Sequence, residues 1–493
     1  MKTLASTEEA RGAKAQDAYL VIPPLIRYSA GPLLGPAIVE GKTNSAGFKA
    51  KTLDLNIAYL HSTGLLPAPD VGEATYLGDH CKTQDVLDQI TRLFWASMST
   101  SSWSAGVNLK QTRMLSLSQG QVAKVVENLA HTPLGEFLVG QLERLRPPAV
   151  LGISVMWEWQ VIPGLFLSLV SKKIWPKAIV VWGGPHVTAI SDLIARDSGY
   201  GRWVDGFLPF QSENSFVKLL ENPHQFGEVE GLIVPGSESR VSALRSSEVP
   251  SLPSFPDFGA YGRPRLILPV ELSVGCPYGR CSFCTYPTIE GKYREFPTSS
   301  LDFTLELAKR NAAAISLKDS LVTHLRLLRV AERVRGEVQW SATTKLHDKL
   351  DNDLIGAIAS GGCRTLEVGL ETLDPETQKA VEKRQPVEWL EKFLTACGTH
   401  GVSVVVNYIT GFPWEDEKRS REFYLSLQRL LRQGIEDHQL RARPEHHRFR
   451  LERLSPMATQ PEAFGMKVTA EWPWSSVLAW KRLPTQPIQL SSR

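Results

Sequence analysis

Between residues 18 and 222, apolar runs of strand length alternate with longer stretches of helical period. AYLVIPPLIRYSAG reads as a strand that ends in a Pro-rich loop, and KAKTLDLN, around Leu53, reads as the next strand. AVLGISV and AIVVWGG are near-continuous apolar runs separated by the helix-like IPGLFLSLVSKKI. Continuous rather than alternating apolar strands are covered on both faces, which predicts a parallel, doubly wound sheet. WVDGFL adds a short strand and SENSFVKLLEN a helix. A helical insertion is predicted over about 83–145, where QGQVAKVVENLAHTPLGEFLVGQLERL puts Val122, Val125, Val126 and Leu129 on one face. Ligands of such sheets bind in the loops at the C-terminal ends of the strands.

Residues 223–262, ending in VPSLPSFPDFGAYG, are rich in Pro, Gly and Ser and read as a connector. Beyond it the pattern restarts. Strands at LILPVELSV, AAAISLK, EVQWSATT, TLEVGL and VSVVVNYI alternate with helices at SLDFTLELAKR, SLVTHLRLLRVAERV, DNDLIGAIAS, VEWLEKFLTACGTH and KRSREFYLSLQRLL. Repeated strand–helix units of this length predict a partial barrel of parallel strands over 263–456, with FRLERLSPM as the sixth strand. Residues 1–17 read as a loose polar tail and 457–493 as a C-terminal extension. In that extension EWPWSSVLAW is either a docking surface for a peptide or packing against the barrel.

A chain of 493 residues is too long for one ordinary core, in keeping with two α/β domains. The net charge of +3 makes no general case for nucleic acid or a membrane surface. No stretch reaches the roughly 18 apolar residues of a spanning helix, and MKTLASTEEARGAKAQ has no apolar core of a signal peptide. The expectation is a soluble cytoplasmic protein without nucleic-acid or membrane partners. Six cysteines, three of them clustered, suit a reducing compartment in which thiols serve metals.

Those three, Cys276, Cys281 and Cys284, lie within CPYGRCSFC, directly after the first strand of the second half. That is the rim where barrel active sites are built. Gly275, Pro277 and Gly279 let the backbone curl so that three sulfurs face one centre. Soft thiolates select zinc or iron–sulfur clusters, and three of them leave one position open. The alternatives are a zinc knuckle completed by a distant His, or three buried thiols.

GCPYGRCSFCTYP resembles the cluster loop of the radical S-adenosylmethionine superfamily, in the four-then-two spacing of some cobalamin-dependent members. The resemblance implies a 4Fe-4S cluster on the three cysteines, S-adenosylmethionine on the remaining iron, and Phe283 packed near the adenine. TLEVGLETLDPETQKAVEK is similar to the family's fourth strand, with Glu371 near the ribose or amino acid of the cofactor. VNYITGFPWED is similar to the fifth, with Ile409 against the adenine and Gly411 giving close backbone approach. Lys345 matches a position used for the cofactor carboxylate. ISLKDS lacks the usual Gly-Gly-Glu, and Asp319 is the candidate to grip the amine. Each of these residues by itself also fits an ordinary barrel rim or core, and only their order after the cysteine loop raises them.

The first half resembles the cobalamin-binding, Rossmann-like domain that precedes the barrel in one branch of that superfamily. GISVM and VVWGGPHVT place Ser154, Gly183 and Gly184 along the slot for the nucleotide tail, and His186 follows the branch's pattern without being a cobalt ligand. The Asp-x-His-x-x-Gly element is missing after the first strand, so cobalt would lack a lower histidine. Arg27 and Tyr28 either lie below it or bracket a turn. The implied chemistry is radical methylation of an unactivated carbon of a small-molecule or peptide substrate, fed by an electron donor such as flavodoxin or ferredoxin. A non-methylating rearrangement, cyclisation or oxidation on the same scaffold is the first alternative, and a non-catalytic metal-binding protein the second. RARPEHHRFRLERLSPMATQPEAFGM is locally basic and reads as a cap on the cavity or a solvated charge run. Peptide natural products, small-molecule antibiotics and tetrapyrroles all fit the resemblance as substrates.

Overall fold

The computed structural model describes residues 17–24, 31–63, 116–237, 250–261 and 265–483. The chain divides into two compact units at Ala260/Tyr261. In the first, β1 (Asp17–Ile22), β2 (Lys49–Asp54), β3 (Val150–Ser154), β4 (Ile179–Gly183) and β5 (Gly206–Leu208) form one parallel sheet in the order β2-β1-β3-β4-β5. β3 is almost wholly buried, as its unbroken apolar run requires. Helix Val161–Ile174 covers one face, and the Trp182 indole N–H fastens it to β4 by donating to the Ser168 hydroxyl at 2.9 Å. On the other face Leu20, Val150, Val181 and Leu208 pack with Phe216, Leu219 and Leu220 of helix Glu213–Glu221. Strand order reverses between β1 and β3, which opens a crevice at their C-terminal ends.

Part of the predicted helical insertion lies outside the described residues, as do residues 1–16, Arg27 and Tyr28. Its described part is two helices, Gln119–Leu129 and Pro133–Glu143. Ser118 starts the first with a capping box to Gln121, and Thr132 starts the second by accepting from the Gly135 N–H.

The segment read as a connector is built into the first unit over much of its length. Val229 and Leu232 are buried in the unit's core, and Ile233 pairs with Phe207 through two backbone hydrogen bonds of 2.9 and 2.8 Å. Ser254 donates from its hydroxyl to the buried Glu40 carboxylate at 2.8 Å, and the Thr52 N–H donates to the same group at 2.7 Å. Pro, Gly and Ser mark irregular backbone, and irregular backbone is not necessarily uncovered backbone.

In the second unit β6 (Ile267–Val270), β9 (Ala314–Leu317), β10 (Trp340–Thr344), β11 (Cys363–Glu371), β12 (Ser403–Thr410) and β13 (Ala442–Arg448) are neighbours in chain order and all parallel. This is the expected partial (β/α)6 barrel. A short hairpin of β7 (Ser273–Val274) and β8 (Arg294–Glu295) follows the first strand. The sixth strand is not FRLERLSPM but the polar ARPEHHR immediately before it. An edge strand covered on one side carries no apolar run to betray it. From FRLERLSPM, Leu451–Glu452 forms β14, which joins β15 (Met466–Ala470) and β16 (Val477–Arg482) in an antiparallel sheet of order β14-β16-β15. The Trp-rich C-terminal stretch packs: Trp474 is fully buried and Trp480 meets Phe449 edge-on at 5.7 Å. No helix among the described residues is long and apolar enough to cross a membrane.

Gly184, after β4, has φ +103°, and a Cβ there would stand 2.5 Å from the Val155 carbonyl oxygen. Gly184→Ala is therefore expected to cost about 2–4 kcal/mol through backbone strain and overlap. Urea denaturation of the variant beside the parent measures this.

Candidate functional site

The barrel's C-terminal rim carries the cysteine loop. Gly275 begins it at φ +78°, where a Cβ would fall 2.7 Å from the Gly291 carbonyl oxygen, so only glycine lets the chain turn here. The Gly279 N–H then points at the Cys276 sulfur at 3.4 Å. Cys281 is buried, while Cys276 and Cys284 are partly accessible. Burial pushes the Cys281 thiol up and the Cys284 thiol to about 12; the charge of Cys276 is felt by both, and that of Cys281 by Cys284. The Ser282 hydroxyl between them is buried with no hydrogen-bond partner among the described residues.

A second loop holds the first in place. The Tyr278 hydroxyl donates to the Glu382 carbonyl, and the Ser282 N–H donates to the Val381 carbonyl at 3.0 Å. Residues 381–385 make a tight turn in which Glu382 and Arg384 both adopt left-handed backbone, with φ of 54° and 48°. Gln378 and Gln385 pin that turn to β11 by donating from their side-chain amides to the Leu370 carbonyl at 2.9 and 2.8 Å. From the other side, the Met457 N–H donates to the Ser282 carbonyl at 2.9 Å.

The turn aims Lys383 at the cysteines. Its ammonium is 3.0 Å from the Glu371 carboxylate, both side chains are nearly buried, and the Phe283 ring centroid is 6.0 Å away. Burial works against the Lys383 charge, but Glu371 and the thiols Cys281 and Cys284 hold it above the usual lysine range. Glu371 itself sits at φ 69°, just past the shift in β11–β12 register between Gly369 and Glu371. A non-glycine residue in that conformation is held there by its surroundings and is a mark of functional sites. A Cβ on Gly369 would come within 2.9 Å of both the Glu371 and Lys383 charged atoms, which is why that strand position is bare.

The other expected residues fall as follows. Lys345 lies over the Tyr278 ring at 3.2 Å from the centroid. Burial lowers its ammonium to about 8, aided by Lys383 and Arg280 and opposed by Cys281 and Cys276. Phe283 meets Phe412 edge-on at 6.1 Å, and Ile409 packs against the same apolar cluster. Gly411 is at φ +83°, and the nearest atom a Cβ would meet is an Arg448 nitrogen at 3.9 Å, so one side of this glycine is open. Its N–H donates to the Glu415 carboxylate at 2.8 Å. Asp319 is buried and accepts from the Ser273 hydroxyl and from the Leu272 N–H at 3.2 Å. Both its oxygens thus already tie β9 to the β6–β7 bend. Lys383 had no signal of its own in the sequence, because it acts through a turn that forms only when β11 and the cysteine loop meet.

In the first unit Ser154 and Gly183 pair in register at the C-terminal edges of β3 and β4. The Gly183–Gly184 turn closes around Val155, whose N–H donates to the Gly183 carbonyl at 2.9 Å and whose carbonyl accepts from the His186 N–H at 3.2 Å. The absent side chain at Gly184 is thus required by Val155. Gln160 ties the loops after β1 and β3 together, donating to the Pro23 carbonyl at 2.7 Å and accepting from the Met156 N–H at 2.7 Å.

Residues 270–425 match the family model described as the Radical SAM superfamily, so the second unit carries a radical SAM domain. An uncharacterized methyltransferase of Pyrococcus horikoshii is 24% identical over 307 residues, which cover 55% of this chain and 62% of the relative. A bacteriochlorophyllide d C-12(1)-methyltransferase of Chlorobaculum tepidum is 25% identical over 171 residues, 32% of this chain and 36% of the relative. The chain thus spans less than two thirds of the length of either curated relative. Among solved structures, the radical S-adenosylmethionine methyltransferase TsrM of Kitasatospora setae, with cobalamin and a 4Fe-4S cluster bound, matches with TM-score 0.61 at 14% identity, over 95% of this chain and 84% of its own. The cobalamin-dependent S-adenosylmethionine radical enzyme OxsB, with aqua-cobalamin and S-adenosylmethionine bound, matches with TM-score 0.59 at 13% identity, over 96% of this chain and 65% of its own. At these identities the likeness is one of fold.

Lys383→Met strands the Glu371 carboxylate in a buried site and is expected to cost about 3–5 kcal/mol. The double variant Lys383→Met/Glu371→Gln leaves no buried charge and should recover most of that loss. A double-mutant cycle by urea denaturation reads the difference.

Proposed function

We propose that the chain is a cobalamin-dependent radical S-adenosylmethionine enzyme, and specifically a methyltransferase acting on an unactivated carbon of a natural-product or peptide substrate. The observation that carries this reading is the three-cysteine loop on the C-terminal rim of a radical SAM domain. Two further facts support it: the likeness to TsrM and OxsB runs over nearly the whole chain, and both curated relatives are named as methyltransferases.

The residues suit the groups this reading needs. Cys276, Cys281 and Cys284 are soft donors on one loop, within electrostatic reach of one another. Soft thiolates suit an iron–sulfur cluster, and in this reading the three of them would hold one and leave one iron open. In the first unit, the order β2-β1-β3-β4-β5 opens a crevice of the kind that takes a nucleotide-bearing cofactor, with Ser154, Gly183 and Gly184 on its edge. When bound, the cluster and S-adenosylmethionine would supply the radical chemistry and cobalamin the methyl group.

The chain's own groups bind, neutralise and exclude. Lys383 and Lys345 favour the thiolate forms that the cysteines must adopt as ligands. In this reading Lys345 takes the carboxylate of S-adenosylmethionine and Glu371 its ribose or amino acid. Phe283 and Ile409 belong to an apolar wall with Phe412 that keeps water from the adenine side, and Gly411 offers bare backbone there. The amine falls to Asp319 only as a further acceptor on a carboxylate already engaged by Ser273 and Leu272. An external one-electron donor, such as flavodoxin or ferredoxin, completes the reaction.

Cys281→Ala, reconstituted anaerobically beside the parent protein, is expected to lack the cluster's visible absorbance and to form no 5'-deoxyadenosine. A variant that still cleaves S-adenosylmethionine would sink the assignment. With substrate, a product heavier by one methyl group together with S-adenosylhomocysteine identifies methyl transfer, whereas 5'-deoxyadenosine without that mass gain identifies the non-methylating alternative.

A further inference from the structure

The inward face of the barrel sheet is not a packed apolar core. On β10 burial alternates, Ser341 and Thr343 staying partly accessible between the buried Trp340, Ala342 and Thr344, and on β11 Glu367 is partly accessible in a strand that is otherwise buried from Thr365 to Glu371. On β12 Asn407 is partly accessible between the buried Val406 and Tyr408, while Val405 on its own face is buried. In register, Thr343 pairs with Glu367, and Asn407 pairs with Gly369 two residues further along β11, so Thr343, Glu367 and Asn407 share one face. Barrel interiors are ordinarily filled by layers of branched apolar side chains, and accessible polar residues in their place describe a cavity.

Two opposite charges stand in it without pairing. Lys318, one residue beyond β9, is exposed; its backbone N–H donates to the Val270 carbonyl at 2.8 Å, and among the described residues its ammonium has no hydrogen bond or ion pair. The period of β9 puts it on the face of Ser316, which pairs with Ser341 and so lies beside Thr343 and Glu367; desolvation there lowers its ammonium, with Glu367 acting against that shift. Glu367 lies two strands away across β10, about 9.5 Å at the backbone. The Asn407 side-chain amide donates to Glu367 at 2.7 Å and fixes it. Two residues past Lys318, the Ser320 hydroxyl donates to the carbonyl of Gly275 at 3.5 Å, which puts this end of β9 beside the start of the cysteine loop.

From this the geometry points to a substrate head group that carries an ammonium and a carboxylate together, an α-amino acid unit, held with its carboxylate on Lys318 and its ammonium on Glu367. A cation and an anion that merely neutralised each other would close to contact distance. Held apart in an enclosed space, they leave room for the complementary dipole of a zwitterion, and each end of it removes one uncompensated charge. A purely apolar or uniformly anionic head group would leave either Lys318 or Glu367 unmatched. The inference rests on the proposed function in that the cavity adjoins the radical site, and it names the substrate class for that site.

The test is calorimetric titration of the anaerobically reconstituted full-length protein with the free proteinogenic α-amino acids, then with the methyl ester and the N-acetyl derivative of any that binds. At least one free amino acid is expected to bind, with its ester and its N-acetyl form each weaker by about 30-fold or more. Lys318→Met should erase the preference for acid over ester and Lys318→Arg restore part of it, while Glu367→Gln should erase the preference for the free amine. Absence of binding by every free amino acid, or unchanged preferences in both variants, overturns the inference. So does competition in which S-adenosylmethionine displaces the amino acid, which would assign Lys318 and Glu367 to the cofactor. Formation of 5'-deoxyadenosine by the parent protein, measured on the same preparation, reports separately on the radical activity.

Discussion

A lysine ammonium and a glutamate carboxylate nearly buried at 3.0 Å are costly to create and costly to separate. Lys383 and Glu371 make such a pair at the barrel rim, and much of the second unit's site is arranged around it. Glu371 is held in left-handed backbone at a register shift, Gly369 is bare so that the two heads fit, and the turn that delivers Lys383 needs two further left-handed residues. The same turn receives the Tyr278 hydroxyl and the Ser282 N–H. Strain in one loop is thus offset by hydrogen bonds to the next, and three thiols are presented together as a result.

Burial raises Cys281 and Cys284 and so disfavours their thiolates, while the nearby Lys383 acts in the opposite direction. A cluster held by these cysteines would settle that conflict in favour of the thiolate, since coordination would replace the lost solvation of the sulfur. The barrel below is built on the other principle. There, Lys318 and Glu367 are enclosed without being paired, and their charges are left for something else to answer. Positions that are rigid and satisfied surround the cysteines, and positions that are open line the lumen.

The two units show how one alternation of strand and helix yields different sheets. In the first, the chain reverses its direction of winding between β1 and β3 and leaves an open sheet with a crevice. In the second, each strand joins the edge of the one before, and the sheet curls toward a barrel. Loops at the C-terminal strand ends carry the chemistry in both. Gly184 is instructive there, because its bareness answers to Val155 of its own chain.

By itself, the amino-acid sequence determined the two α/β units, nearly all of the strands and the three-cysteine loop, because continuous apolar runs and short-range spacing are local properties. It also marked Glu371, Lys345 and Gly411 by their order along the chain. Tertiary structure alone decided what crosses between elements. The polar edge strand Ala442–Arg448, the burial of Val229 and Leu232 in a stretch of loop composition, and the delivery of Lys383 to the cysteines have no local pattern. The same is true of the lumen: Lys318 follows β9, Glu367 lies on β11 and Asn407 on β12, and only the parallel registration of the sheet sets them on one face.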